Sequence, residues 1–147
     1  MSELPKVSLA EQLADRILAL DAIPPGVREK CQDLAVDVIG LCVTARQQDY
    51  VQAALGGCDD DGPCTAIGHA RTLSAASAAF VNGTAAHGED FDDTFEGGPV
   101  HAGAVVVPAV LAACERHNAD GAAALRGIAF GVEVLCRLSL VVPKATH

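Results

Sequence analysis

Apolar residues recur along this chain at helical spacing. From Val27 they fall at Cys31, Leu34, Val38, Leu41 and Ala45, in alternating steps of four and three, with Arg, Lys, Gln and Asp on the other face. That pattern predicts an amphipathic helix. Before it, Ser8-Leu9-Ala10-Glu11 reads as a capping box that opens a helix carrying Leu13, Ile17 and Leu20, and Pro24-Pro25-Gly26 ends this segment. Helical character continues past Ala45 towards Leu55. Gly56 to Pro63 is a polar loop, and Cys64 to Gly68 a short extended run. Ser74 caps an alanine-rich helix reaching about Ala86. Gly103 to His117 forms a fourth helix, with Pro108 in its first turn or kinking it. Asp120 caps a fifth from Ala122 to about Val142, which Pro143 stops; its Gly127-x-x-x-Gly131 spacing implies close helix packing.

Five helical segments, almost no strand-like alternation and 3% aromatic residues predict an all-α helix bundle, a single helical domain over residues 1–147. The length is enough for a sizeable core. There is no internal repeat.

Charge narrows the partners. Ten basic against 19 acidic residues leave a net charge of −9, which argues against nucleic acid and anionic membrane surfaces, both of which call for basic patches. The longest apolar stretch, 128–143, is broken by Glu133 and Arg137 and does not read as a membrane span. Most of the six cysteines sit inside apolar helical patterns, as small hydrophobes. Cys58 and Cys64 flank a loop without the spacing or histidine partners of a zinc site. Free thiols and an N-terminus without the pattern of a signal peptide point to the cytoplasm.

The chemistry is concentrated in His87-Gly88-Glu89-Asp90-Phe91-Asp92-Asp93-Thr94, followed after Gly97-Gly98-Pro99 by His101. Acids and imidazoles packed this tightly perturb one another's proton affinity, as proton-transfer chemistry requires. Three other readings compete. Asp90-x-Asp92-x-Thr94 matches the nucleophile motif of haloacid-dehalogenase-type phosphatases, but that chemistry needs the first Asp at the end of a buried parallel strand, which 80–89 does not resemble. His87, Asp90, Asp92 and His101 form a mixed set suited to Zn, Mn or Fe, without the His-x-x-x-His or Glu-x-x-His spacing of one helix face. The plainest alternative is an acidic loop capping the next helix. His69, His117 and His147 read as surface or capping residues.

The run Asn82-Gly83-Thr84-Ala85-Ala86-His87, then Asp90-Phe91-Asp92-Asp93-Thr94, then His101 and the apolar Gly103-Ala104-Val105, resembles the MmgE/PrpD family, which includes 2-methylcitrate dehydratase, cis-aconitate decarboxylase and iminodisuccinate epimerase. The resemblance runs from the helix near Leu9 to the last residues and is most specific over 82–115. It implies part of a helical N-terminal domain, a di- or tricarboxylate substrate, and proton abstraction α to a carboxylate. It implies catalytic roles for Asp90, Thr94 and His101, with substrate contacts from Asp93 and His87, and neither metal nor cofactor. In that family a further histidine motif and a lysine lie downstream of the region matched here. An acidic chain would repel polycarboxylates, so cationic groups are expected from a second chain supplying the rest of the fold. The small-residue faces of 127–131 and 74–86 are expected to pack against other helices, and the complete unit to form a symmetric dimer. The competing class is a non-catalytic helical scaffold.

Overall fold

In a computed structural model the protein is described over residues 7–20 and 22–141. Six helices are present among the described residues: α1 (Leu9–Leu18), α2 (Pro25–Ala45), α3 (Asp49–Gly56), α4 (Ala75–His87), α5 (Ala102–His117) and α6 (Gly121–Val141). Between α3 and α4 lie two short strands, β1 (Cys64–Thr65) and β2 (Thr72–Leu73), paired antiparallel with Cys64 opposite Leu73. The all-helical expectation holds, with a two-residue ribbon where the sequence showed an extended run.

The caps read from the sequence form. Ser8 Oγ accepts from the Glu11 N–H while Glu11 takes the Ser8 N–H, the reciprocal box that satisfies two orphan donors. Ser74 Oγ accepts from the Ser77 N–H at 3.3 Å, and Asp120 Oδ1 from the Ala123 N–H at 2.8 Å. Pro25 is the first residue of α2 rather than part of a break, since its missing N–H costs nothing there.

The helical character expected towards Leu55 is present, but α2 itself does not run that far. It ends at Ala45, and α3 starts afresh after an extended Gln48. Side chains take the carbonyls released by the break, Arg46 Nη1 donating to Val43 O and Gln52 Nε2 to Arg46 O. The predicted stop at Pro143 lies outside the described residues.

The core is built from small side chains. Val38 and Cys42 of α2, Val51 of α3, Leu73 of β2, Ala78 and Val81 of α4, Val107 of α5 and Ile128 of α6 are all fully buried, and none is aromatic. Slender contacts let axes approach closely. α5 packs on α2, α4, α6 and β1, and α4 on α2, α3, α5 and both strands, so these two helices form the centre. Pro108 sits inside α5, buried. It cannot donate to the Ala104 carbonyl four residues earlier, and Gly83 of α4 lies against that oxygen: a β-carbon at Gly83 would come within 3.1 Å of it.

The Gly127-x-x-x-Gly131 face packs inside the chain. β-Carbons there would meet Val110 and Val106 of α5, so this face is already used and is not open to a second chain. The alanine-rich helix is likewise covered, with Ala78, Val81, Ala85 and Ala86 buried. Both small-residue faces thus pack against helices of this chain and are not the surfaces that a second chain would take. Apolar residues exposed instead include Val36, Ile39 and Val43 on α2, and Phe80 and Val105 on α4 and α5. Among the described residues, no helix is long and apolar enough to cross a membrane.

Candidate active site

The end of α4 and the start of α5 converge because Gly83 lets the two backbones meet. His87 is the last residue of α4 and His101 the N-cap of α5. Their rings stand 4.6 Å apart between centroids, tilted by 59°. The intervening chain makes a tight excursion, closed by the Phe95 N–H donating to the Val100 carbonyl and narrowed where Gly98 lies against Ser139 of α6.

The three aspartates of this loop have different fates. Asp90 takes a left-handed backbone, φ 57°, a conformation Asp tolerates better than most residues. Its exposed carboxylate comes within 3.7 Å of His101 Nε2. Asp92 points inward, its side chain 0% exposed. Its Oδ1 lies 3.0 Å from His87 Nδ1 and its Oδ2 3.4 Å from His101 Nδ1. Asp93 accepts the Gly103 N–H at 2.7 Å, pinning the first turn of α5. Burial pushes the Asp93 carboxyl above its ordinary value and the charge of Asp92 adds to this, against a smaller opposing pull from the Gly103 N–H.

A cavity of about 820 Å³ opens between α4 and α5, with His87, His101, Thr84, Tyr50 and apolar residues such as Phe80, Val105 and Leu135 on its wall. No Lys or Arg is among the residues lining it. Tyr50 leans across the end of α4, where Gly88 leaves room for its ring, and donates to Glu89 Oε1 at 3.0 Å.

Of the residues singled out from sequence, the structure thus brings His87, Asp90 and His101 together. It places Asp93 on the backbone of α5. Thr94 is exposed and outside the cavity wall. Two residues were missed. Asp92 was weighed as a metal ligand and not as part of the acid–base set, because nothing in Asp-x-Asp-Asp says which carboxylate is buried. Tyr50 carried a signal that went unused, being the single tyrosine in the chain. The donor atoms of His87, Asp90, Asp92 and His101 lie within 4.8 Å of one another, so these four could hold a divalent ion. The phosphatase alternative fails on context. Asp90 follows a helix, and the sheet among the described residues is one two-residue antiparallel ribbon.

Comparison with known proteins agrees with this architecture. The sequence model of the MmgE/PrpD N-terminal domain matches residues 10–147, and the chain belongs to the MmgE/PrpD family. It is 35% identical over 102 residues to cis-aconitate decarboxylase of Aspergillus terreus, a match spanning 67% of this chain and 21% of that protein. It is 29% identical over 96 residues to the cis-aconitate decarboxylase-like protein oryM of Aspergillus oryzae, covering 63% of this chain and 20% of the relative. The chain therefore spans about a fifth of the length of these relatives.

Proposed function

We propose that this chain supplies the acid–base part of a lyase or isomerase site that removes a proton α to a carboxylate of a di- or tricarboxylate. Loss of water, loss of CO₂ or return of the proton would complete the reaction. The observation that carries this reading is the pair of imidazoles, 4.6 Å apart on the wall of one cavity, each with a carboxylate beside it. Such a step needs a base that is partly unprotonated near neutral pH, and imidazole is the side chain that meets this without large tuning. The names of the fungal relatives fit a carboxylate substrate.

His101 acts as the base or acid, and Asp90, 3.7 Å from its Nε2, orients or tunes it. Thr94, exposed on the same loop but outside the cavity wall, is assigned to a substrate carboxylate or hydroxyl that extends past the cavity. His87, its ring 4.6 Å from that of His101 on the same wall, contacts the substrate beside it. Asp93, by contrast, serves the fold by holding α5, which in turn fixes His101. The reading calls on no metal or cofactor.

Electrostatics support a site completed by further polypeptide. The cavity wall carries no lysine or arginine, the net charge is −9, and a polycarboxylate needs cations. We assign those cations to sequence that the longer relatives carry beyond the matched region, supplied by a second chain or a continuation of this one.

The test is His101→Ala in the complete enzyme, assayed on a panel of di- and tricarboxylates that includes cis-aconitate. Turnover should fall by about 100-fold or more. Turnover near that of the unaltered enzyme would overturn the assignment.

A further inference from the structure

Asp92 is the most deeply buried charged side chain of the site, and the proposed reaction gives it no part. Its carboxylate is withdrawn from water, and no Lys or Arg among the described residues bonds to it. A buried carboxylate costs several kcal/mol unless N–H groups compensate it. What faces it from the packed elements is His87 on α4 and His101 at the start of α5, with Asp90 and Asp93 of its own loop beside it. Of these, His87 bonds to it, and His101 stands close by without a hydrogen bond.

The geometry constrains them in turn. An Nδ1 lone pair 3.0 Å from a carboxylate oxygen would repel it, whereas an Nδ1–H donates to it. We propose that Asp92 is a positioning residue that holds His87 in the Nδ1–H tautomer, leaving its Nε2 as the basic nitrogen. His87 is then a second proton carrier and not only a substrate contact. In the forward step the Cα–H bond breaks, its electron pair delocalises into the substrate carboxylate, and the proton joins the Nε2 lone pair of one ring. Where that ring is His87, it keeps its Nδ1–H on Asp92. The same Nε2–H then returns to carbon, or passes to the oxygen that departs with the electron pair of the broken C–O bond, and either transfer leaves that ring neutral again. His101 is placed differently: its Nδ1 stands 3.4 Å from Asp92 Oδ2 without forming a hydrogen bond, while its Nε2 lies 3.7 Å from Asp90.

The catalytic half of this inference rests on the proposed proton abstraction; the tautomer does not, so the two fail separately. Long-range ¹H–¹⁵N correlation spectra of ring-labelled histidine in the folded assembly, with His87→Gln and His101→Gln for assignment, should show His87 with Nδ1 protonated and Nε2 bare. Asp92→Asn keeps the volume but can turn an amide N–H towards Nδ1, so the His87 tautomer should change. In the complete enzyme kcat should fall by about 100-fold or more, KM should move less than about threefold, and Asp92→Glu should recover part of the loss. An Nε2–H tautomer at His87 in the unaltered protein overturns the proposal even if every Asp92 variant fails to fold. So does a kcat for Asp92→Asn within about threefold of normal. Normal tautomers together with a fully active His101→Ala enzyme would instead remove the proposed reaction and leave the tautomeric role of Asp92 standing.

Discussion

Gly83 of α4 lies against the carbonyl oxygen of Ala104 in α5, where Pro108 has removed the helical donor, and a β-carbon at Gly83 would stand 3.1 Å from that oxygen. Two effects oppose each other at this position. Alanine in place of a helical glycine stabilises by about 1 kcal/mol, and the crowding costs a similar amount. Gly83→Ala should therefore change the melting temperature by only a few degrees. Gly83→Val adds two methyl groups to the same gap and a poorer helix former, so it should destabilise by about 1–3 kcal/mol. Thermal denaturation of both variants checks this; a valine variant as stable as the parent would mean the helices part easily.

Asn82 is buried and ties α4 to the ribbon, its Nδ2 donating to Thr65 O at 2.9 Å and its Oδ1 accepting the Ile67 N–H at 2.8 Å. Removing it strands two backbone groups. Asn82→Ala should cost about 1–3 kcal/mol in denaturant titration, while an exposed control such as Gln47→Ala should cost less than about 0.5.

Asp93 gives a pH signature. Burial raises its folded-state pKa above the ordinary carboxylate value, so the folded chain holds this proton more tightly than the unfolded one. The associated stability is fully present below the unfolded pKa and is lost as pH rises through the higher folded value. Asp93→Asn keeps an oxygen for the Gly103 N–H but does not titrate. The melting temperature of the parent relative to Asp93→Asn should fall as pH rises through the acidic range, and a difference independent of pH would contradict this.

The proposed chemistry relies on unprotonated ring nitrogens, which also makes the site vulnerable to metals. EDTA should leave the turnover of the complete enzyme unchanged. Zinc should inhibit reversibly by seizing the imidazoles of His87 and His101, whose donors already lie within 4.8 Å of those of Asp90 and Asp92. Loss of activity in chelator would show that a resident ion takes part.

Assembly is open to a direct measurement. Val36, Ile39 and Val43 recur at helical spacing on the outer face of α2 and are exposed, the kind of stripe that other helices cover. We expect the isolated 147-residue chain to self-associate or to require its complement. Elution with light scattering as a well-folded 15.0 kDa monomer, with a cooperative melt, would contradict the proposed second chain and dimer.

Helix existence and most caps were legible because they depend on local chemistry: Ser8 with Glu11, Ser74 and Asp120 each act within three residues. The break at Arg46–Gln48 was not legible, since the polar run Arg46-Gln47-Gln48-Asp49 holds no Gly or Pro and its carbonyls are taken by arginine and glutamine side chains with no turn signature. The neighbourhood of the site could be found from the density of acids and imidazoles in 87–101. Which carboxylate is buried could not, because Asp90, Asp92 and Asp93 differ only in how the loop turns them: one left-handed and exposed, one inward, one onto a backbone N–H. The glycine pair 127 and 131 was rightly taken as a close-packing signal, but sequence could not say that the partner was α5 of the same chain.

The small-residue core also makes this protein its own unfolding clock. Cys31, Cys42 and Cys64 are buried, and Cys42 donates its thiol hydrogen to the Asn82 carbonyl at 3.2 Å. Burial pushes the Cys42 thiol up to about 11, far from the thiolate needed for alkylation at neutral pH. These sulfurs sit on α2 and β1, so the rate at which each is labelled reports the opening of its own segment. A probe of local stability is thus present at the centre of the bundle without any residue being added.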